Sequence, residues 1–302
     1  MAKLKTPILG FGAKGTIGEA LTFQRIPGRN IVREKPIPKD PYTLPQAYHR
    51  WDYQDYLAQW ATLSNSEKWV YSAIGSRTHN TSVGAFIKEK LKGLPDLALR
   101  LHMDEASGAV CRDSSKNGYL GTYFGTRPVP GIIGTGRWFD GVNDRVVFTG
   151  VMVPRAVGNI FTVSAWVKTA SVDKGVVVHQ IAPIGAHEYI LRIQETGHPF
   201  FLVYDIIHST GITALHTVND GQWHLVSGVK DGATLRILID DYVSKEGATG
   251  VGPILGGDRL GIGRQEVAGT QYFHGYMDEV AVRTRALTLA QHTQMSDRRY
   301  PI

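Results

Sequence analysis

From about residue 97 onward the chain falls into short apolar segments cut apart by glycine and polar turns, and this rhythm restricts the fold more than any other feature. FTVSAWVKTA, GVVVHQIA, EYILRIQ, FFLVYDII, WHLVSGVKDG, ATLRILIDDYV, RLGIG and YMDEVAVRT are all rich in Val, Ile, Leu and aromatics, as strands are. In WHLVSGVKDG and TLRILIDD apolar and polar residues alternate. Each such strand has one face to bury, so a second sheet must cover the first. The expected fold class is therefore mainly β, a two-layer antiparallel jelly-roll sandwich over residues 94–302.

The preceding residues follow other patterns. Residues 1–45 are rich in glycine and proline with only short apolar pieces, which suits an extended arm that cannot build a core alone. EALTFQR and NIVREK read as two short strands joined at PGRN. Residues 46–93 switch to apolar steps of three and four, the period of helices. Trp51, Tyr53, Tyr56, Leu57, Trp60 and Leu63 share one broad side. Ser64 and Glu67 have capping-box spacing at the start of a second helix, Ser82 is placed to cap a third, and Gly93 to end it. About 50 residues make a small unit, so its aromatic side is expected to pack on something larger.

The charge is unevenly distributed. The net charge of +6 comes from the first 93 residues, which hold 14 Lys and Arg against 7 Asp and Glu, while the rest hold 19 against 20. The basic residues are scattered rather than clustered, which favours a protein-facing surface over nucleic acid. No apolar run is long enough to span a membrane, and no export signal is visible at the start, so the expectation is a chain made as a soluble protein. Cys111 is the only cysteine, which excludes an intrachain disulfide and favours a buried, inert thiol.

Motifs for catalysis are missing from the sequence. Retaining glycosidases need two carboxylates about 5 Å apart on one side of a sugar, whereas the acids of IDD and of Asp278–Glu279 are adjacent and so point to opposite faces of a strand. There is no G-x-S-x-G, no H-E-x-x-H and no GxxxxGK[ST]; GAKGTIGEA lacks the flanking strand and helix of a phosphate loop. The expectation is a protein that is not an enzyme.

Five pieces in order, LHMDEASGAVCRDSSKNGYLGTY, GRWFDGVNDRVVF, FTVSAWVKT, GQWHLVSGVKDGATLRILIDD and FHGYMDEVAVRTRALTLAQ, resemble the laminin-G-like, or concanavalin A-like, jelly-roll domains over about residues 98–295. The resemblance implies that FDGVNDRVVF is a turn into an early core strand. It also implies a candidate structural calcium held by Asp104 and Asp278, with Asp113, Asp140 and Asn143 as weaker ligands; the alternative is that these side chains cap turns with no ion. The fold hosts several functions. For glycan binding, Tyr119, Tyr123, Trp138 and Tyr272 are candidate stacking residues, although Trp138, Trp166 and Trp223 lie in strand-like pieces where burial is the default.

The N-terminal third is similar to a module of uncharacterised structural proteins of bacterial viruses. The similarity is carried by a G-x-x-G-x-x-x-T-F start, GRNIVREKP, P-x-T-x-x-Q-x-x-R from Pro41 to Arg50, and W-x-x-L-S-x-x-x-K-x-x-W-x-x-x-A from Trp60. It implies a capsid-associated or decoration protein of a virion. The arm and helices would make assembly contacts through Phe11, Phe23, Arg25, Arg29, Arg33, Trp51, Trp60 and Trp69, and the sandwich would face outward. Expected partners are further copies of the chain in a closed homo-oligomer, a trimer among the candidates, and other virion proteins. The alternative is a lectin-like protein that binds a host surface glycan.

Overall fold

A computed structural model describes residues 15–17, 21–26, 29–34, 50, 53–54, 56–57, 59–78, 81–91, 97–115, 117–148, 160–181, 187–204, 209–249, 259–266 and 270–297. Contacts divide the chain into two units, Met1–Ala47 and Tyr48–Ile302.

In the first unit, β1 (Gly15–Ile17), β2 (Leu21–Ile26) and β3 (Arg29–Glu34) form a three-stranded antiparallel sheet. Register pairs Ile26 with Arg29 between β2 and β3. Phe11 and Trp51 lie outside the described residues, as do the side chains of Phe23, Arg25, Arg29 and Arg33.

The second unit begins with helices. Residues described between 53 and 62 are helical, followed by α1 (Asn65–Thr78) and α2 (Ser82–Leu91). The capping box at Ser64 is present: its backbone N–H donates to Glu67 Oε2 at 2.8 Å and its hydroxyl accepts from Glu67 N at 3.4 Å. At α2 the cap is Thr81, whose hydroxyl accepts from Gly84 N at 3.1 Å, one residue before the expected Ser82. Tyr56, Phe86 and Ile87 are buried together, with Trp60, Leu63, Tyr71 and Val83 against them. Tyr71 and Phe86 meet edge to face at 5.1 Å. The other side of α1 is bare, with Trp69 73% and Val70 52% exposed.

The sandwich runs through β4 (Leu97–Leu101), β5 (Val110–Arg112), β6 (Leu120–Phe124), β7 (Arg127–Pro130), β8 (Thr135–Asp140), β9 (Arg145–Phe148), β10 (Ile160–Lys168), β11 (Gly175–Ile181), β12 (His187–Ile193), β13 (Pro199–Tyr204), β14 (Ser209–Thr213), β15 (Trp223–Asp231), β16 (Thr234–Ile239), β17 (Tyr242–Ala248), β18 (Arg259–Ile262) and β19 (His274–Arg283), and ends with α3 (Leu289–Ser296). One sheet has the order β17-β16-β15-β10-β19-β8-β7, with β4 also on β19; the other is β14-β13-β12-β11-β18-β9-β6-β5. All the strand pairs described are antiparallel.

Between the sheets lies a continuous apolar core to which Phe139, Phe148, Phe161, Val163, Ala165, Val167, Tyr189, Phe201, Val226, Ile237, Ile262, Met277 and Val282 contribute. Side chains alternate along a strand, so Trp166 and Lys168 point to the opposite, outer face of β10. Trp166 is nonetheless 2% exposed, in a region of that face lined also by Leu225, Ala281, Arg283 and Met295 of α3. The helix is held there by His292 Nδ1 against the Asp240 carbonyl at 2.8 Å. It starts with a full capping box between Thr288 and Gln291, a T-x-x-Q signal that the reading of the sequence passed over.

Candidate functional site

Further along the same outer face, nothing equivalent to α3 covers the sheet among the described residues. Register places Trp223 opposite Lys168, Lys168 opposite Tyr276, Tyr276 opposite Trp138 and Trp138 opposite Arg127. Five residues from β15, β10, β19, β8 and β7 thus form one cross-strand row, in which aromatics and cations interleave. Such neighbours stand about 5 Å apart and support one another. Lys168 Nζ lies 5.6 Å from the Tyr276 ring centre, and the Arg127 guanidinium 4.1 Å from that of Trp138. Trp223 meets Tyr276 at 6.3 Å, and Trp138 meets His274 at the same distance, both edge to face.

The middle of this row opens into a groove of about 370 Å³ lined by Trp138, Lys168, Thr169, Ala170, Ser171, Gly221, His274, Gly275 and Tyr276. Its floor is fixed by short bonds: Thr169 Oγ1 donates to the His274 carbonyl at 2.7 Å and accepts from Ser171 N at 2.9 Å, while Gly221 N donates to the Thr169 carbonyl at 2.9 Å. Gly275, at φ 147°, brings its backbone so near β10 that a Cβ there would stand 2.4 Å from the Lys168 carbonyl oxygen. Any other residue would pry the two strands apart beneath the groove.

Beside the groove, His224 joins Asp220 to Asp240, with Nε2 3.0 Å from Asp220 Oδ1 and Nδ1 2.8 Å from Asp240 Oδ2. The bond to Asp240, with further help from Asp220, raises the His224 pKa in spite of its partial burial. This clasp ties the loop carrying Gly221 to the β16–β17 hairpin.

The candidate stacking residues separate. Trp138 lies in the groove. Tyr272 is half-buried just before β19. Tyr119 packs on the core. Tyr123 is 6% exposed, with its hydroxyl donating to Glu105 Oε2 at 2.8 Å and the Arg137 guanidinium 3.9 Å over its ring, so burial withholds the ring from a sugar. The groove also contains residues the sequence reading did not single out, Lys168, His274 and Tyr276. Period-2 alternation in HGYMDEV could have paired Tyr276 with an outer face, once Met277 was assigned to the core.

The carboxylates proposed for calcium are engaged elsewhere. Asp140 Oδ1 accepts from the amides of Val142, Asn143 and Asp144 at 2.8, 3.1 and 3.3 Å, with Gly141 at φ 78°; GRWFDGVNDRVVF is a turn between β8 and β9. Asp113 accepts from Arg100 N, Ser115 N and Tyr119 N. Asn143 is exposed in the Asp140 turn. Asp104 accepts from Thr135 N at 2.9 Å, and Asp278 Oδ2 from Ile132 N and Ile133 N at 3.0 and 3.1 Å, so both hold the 131–135 turn. Burial, then the adjacent Glu279 carboxylate, push the Asp278 carboxyl well above the usual range. A calcium ion asks for six to eight oxygens in one place. Among the described residues no group of three or more His, Cys, Asp or Glu side chains is placed to hold a metal. These side chains fit turn caps and do not fit that ion.

Comparison with known proteins agrees with this architecture. The profile of the concanavalin A-like lectin/glucanases superfamily matches residues 139–291. No curated protein matches the chain. Among solved structures, the binding domain of Paraclostridial Mosquitocidal Protein 1 is similar with a TM-score of 0.56 at 12% identity, covering 67% of this chain and 52% of that one. A botulinum neurotoxin serotype D ligand-binding domain, solved in complex with N-acetylneuraminic acid, gives 0.54 at 11% identity, covering 68% and 52%. Domain 4 of AbnA, a GH43 extracellular arabinanase from Geobacillus stearothermophilus solved with arabinotriose, gives 0.51 at 15% identity, covering 67% and 98%. The chain spans about half the length of the toxin binding domains it resembles, and at these identities the likeness is one of fold.

Proposed function

The chain belongs to the concanavalin A-like lectin/glucanases superfamily, and on that premise we propose that it is a carbohydrate-binding protein whose sugar site is the groove around Trp138 and Tyr276. The observation that carries the reading is the half-buried aromatic row that no helix covers among the described residues, on a sheet face whose other part lies under α3. Aromatic faces stack on sugar rings, and the groove volume falls at the small end of ligand pockets, which run from about 300 to 1,000 Å³. Solved relatives in fold include domains captured with N-acetylneuraminic acid and with arabinotriose. Among the described residues the groove lining holds no Asp or Glu, so they do not supply the acid pair that glycoside hydrolysis uses; this supports binding without cleavage. Titration of the intact protein against an oligosaccharide array tests the reading. Saturable binding should fall about tenfold or more in W138A and in Y276A, with the circular dichroism spectrum unchanged. Binding unaffected by both changes would refute it.

A second reading, favoured by exposed Trp69 and Val70 on α1, is that the residues preceding the sandwich fasten it to a repeating assembly, with copies of this chain and other virion proteins as neighbours. Apolar patches rimmed by polar residues mark protein contacts. Light scattering on the full chain should then give an oligomer that W69E reduces to monomer; a wild-type monomer at every concentration would contradict it. Among the described residues no helix is long and apolar enough to cross a membrane.

A further inference from the structure

We infer that the groove is built for an acidic glycan, one whose terminal sugar carries a carboxylate or a sulfate ester; this rests on the carbohydrate reading above. Among the described residues the lining presents a lysine and a histidine and no carboxylate. The sandwich as a whole does not impose that bias, because residues 94–302 hold 20 acids against 19 bases. The sign is local.

The acids nearest the groove in the chain, Asp140, Asp173, Asp220 and Asp278, are each turned to another task; Asp278, two residues past Tyr276, is fully buried and accepts from Ile132 N and Ile133 N. Asp140, cross-strand partner of His274, is filled by three amides of its own turn. Asp220, next to Gly221, accepts from Gln222 N at 2.8 Å and is bound to His224. Asp173 accepts from Ser171 Oγ at 3.5 Å on its own loop.

Lys168, by contrast, has no carboxylate partner among the described residues. Its stem runs beside Tyr276, and its ammonium stays near the ring, half-buried and beside the open groove. A cation held against aromatic walls, where water is thinned, interacts with an anion more strongly than it would on an open surface. Arg127, exposed over Trp138 at the end of the row, extends the positive potential. His274 is exposed at the rim and adds a ring nitrogen, and Ser171 a hydroxyl. A sugar ring laid on Trp138 and Tyr276 would therefore bring a substituent within reach of Lys168, and a negative substituent would meet no opposing charge in the lining.

The test uses the full chain and three probes, lactose, sialyllactose and sulfated lactose, on an array that also carries other neutral oligosaccharides beside their sialylated and sulfated forms. Acidic members should bind about tenfold more tightly than their neutral partners near 0.1 M salt, and the preference should shrink near 0.5 M as screening shortens the reach of the charge. K168M, which keeps the apolar stem, should abolish most of the preference of acidic over neutral partners. Sialylated and sulfated arms tell a carboxylate ligand from a sulfate one. Equal binding of neutral and acidic partners, or a preference unchanged in K168M, would overturn the inference and leave the carbohydrate reading standing. If no array member binds, both fall.

Discussion

Asp278 shows how much one side chain can organise. It stands where β19 changes neighbours, from β8 along His274–Met277 to β4 along Val280–Arg283, and the next residue, Glu279, has a positive φ of 49°. Asp278 Oδ1 accepts from Glu279 N at 2.8 Å, and Oδ2 takes the two amides of the 131–135 turn. Truncation to alanine would leave three N–H donors unpaired, two of them on the turn that leads into β8. D278A should lower unfolding stability by about 2–4 kcal/mol in a urea titration; a loss below about 1 kcal/mol would mean that the turn holds itself. Cys111 offers a second check at this scale. Burial pushes its pKa up to about 12, so a thiol reagent at neutral pH should label it only after unfolding. The acidity of these residues was visible in the sequence, but not their partners: Asp278 and Ile132 are far apart in the chain and meet only because β19 lies beside β8.

Elements were legible wherever a period repeats. Alternation identified β15 and β16, strand-like composition between turns identified β10 and β19, and the Ser64-x-x-Glu67 spacing identified α1. The groove was not, because it is assembled from three strands, β8, β19 and β10, that are consecutive in space and scattered in sequence, with loop residues beside them. Trp138 and Phe139 illustrate the ambiguity: as neighbours in a strand they must face opposite sides, yet nothing local says which one enters the core. The structure buries Phe139 completely and leaves Trp138 on the outer face.

At this scale the two histidines near Asp240 predict a two-sided pH profile. His224 has a raised folded pKa, so its stabilising contribution is complete below the unfolded value near ~6.5 and is lost as pH rises through the raised one. His292 is opposite. Burial lowers it to about 4, so its neutral form is favoured above ~6.5 and stability is lost as pH falls toward 4, by on the order of 3 kcal/mol. Stability measured by urea unfolding against pH should lose the alkaline slope in H224Q and the acid slope in H292Q. An unchanged acid limb in H292Q would show that the packing of α3 does not depend on a neutral imidazole.

For the whole molecule, the sandwich is a rigid scaffold with one outer face divided between a helix and an open groove. Since the candidate calcium ligands act as turn caps, chelator treatment should leave the melting temperature within about 1 °C of its starting value, whereas a bound stabilising ion would shift it by several degrees. The superfamily supplies the architecture, and the division of that face supplies the candidate site.

The tryptophans give the most direct test. Trp138 and Trp223 belong to the bare row, Trp166 lies under α3, and Trp69 stands on the helical hairpin. In an NMR titration of indole N–H signals with an oligosaccharide that binds, Trp138 should shift most, Trp223 less, and Trp166 and Trp69 should stay in place. Shifts confined to Trp69, or to residues of the opposite sheet, would contradict a sugar site in the groove.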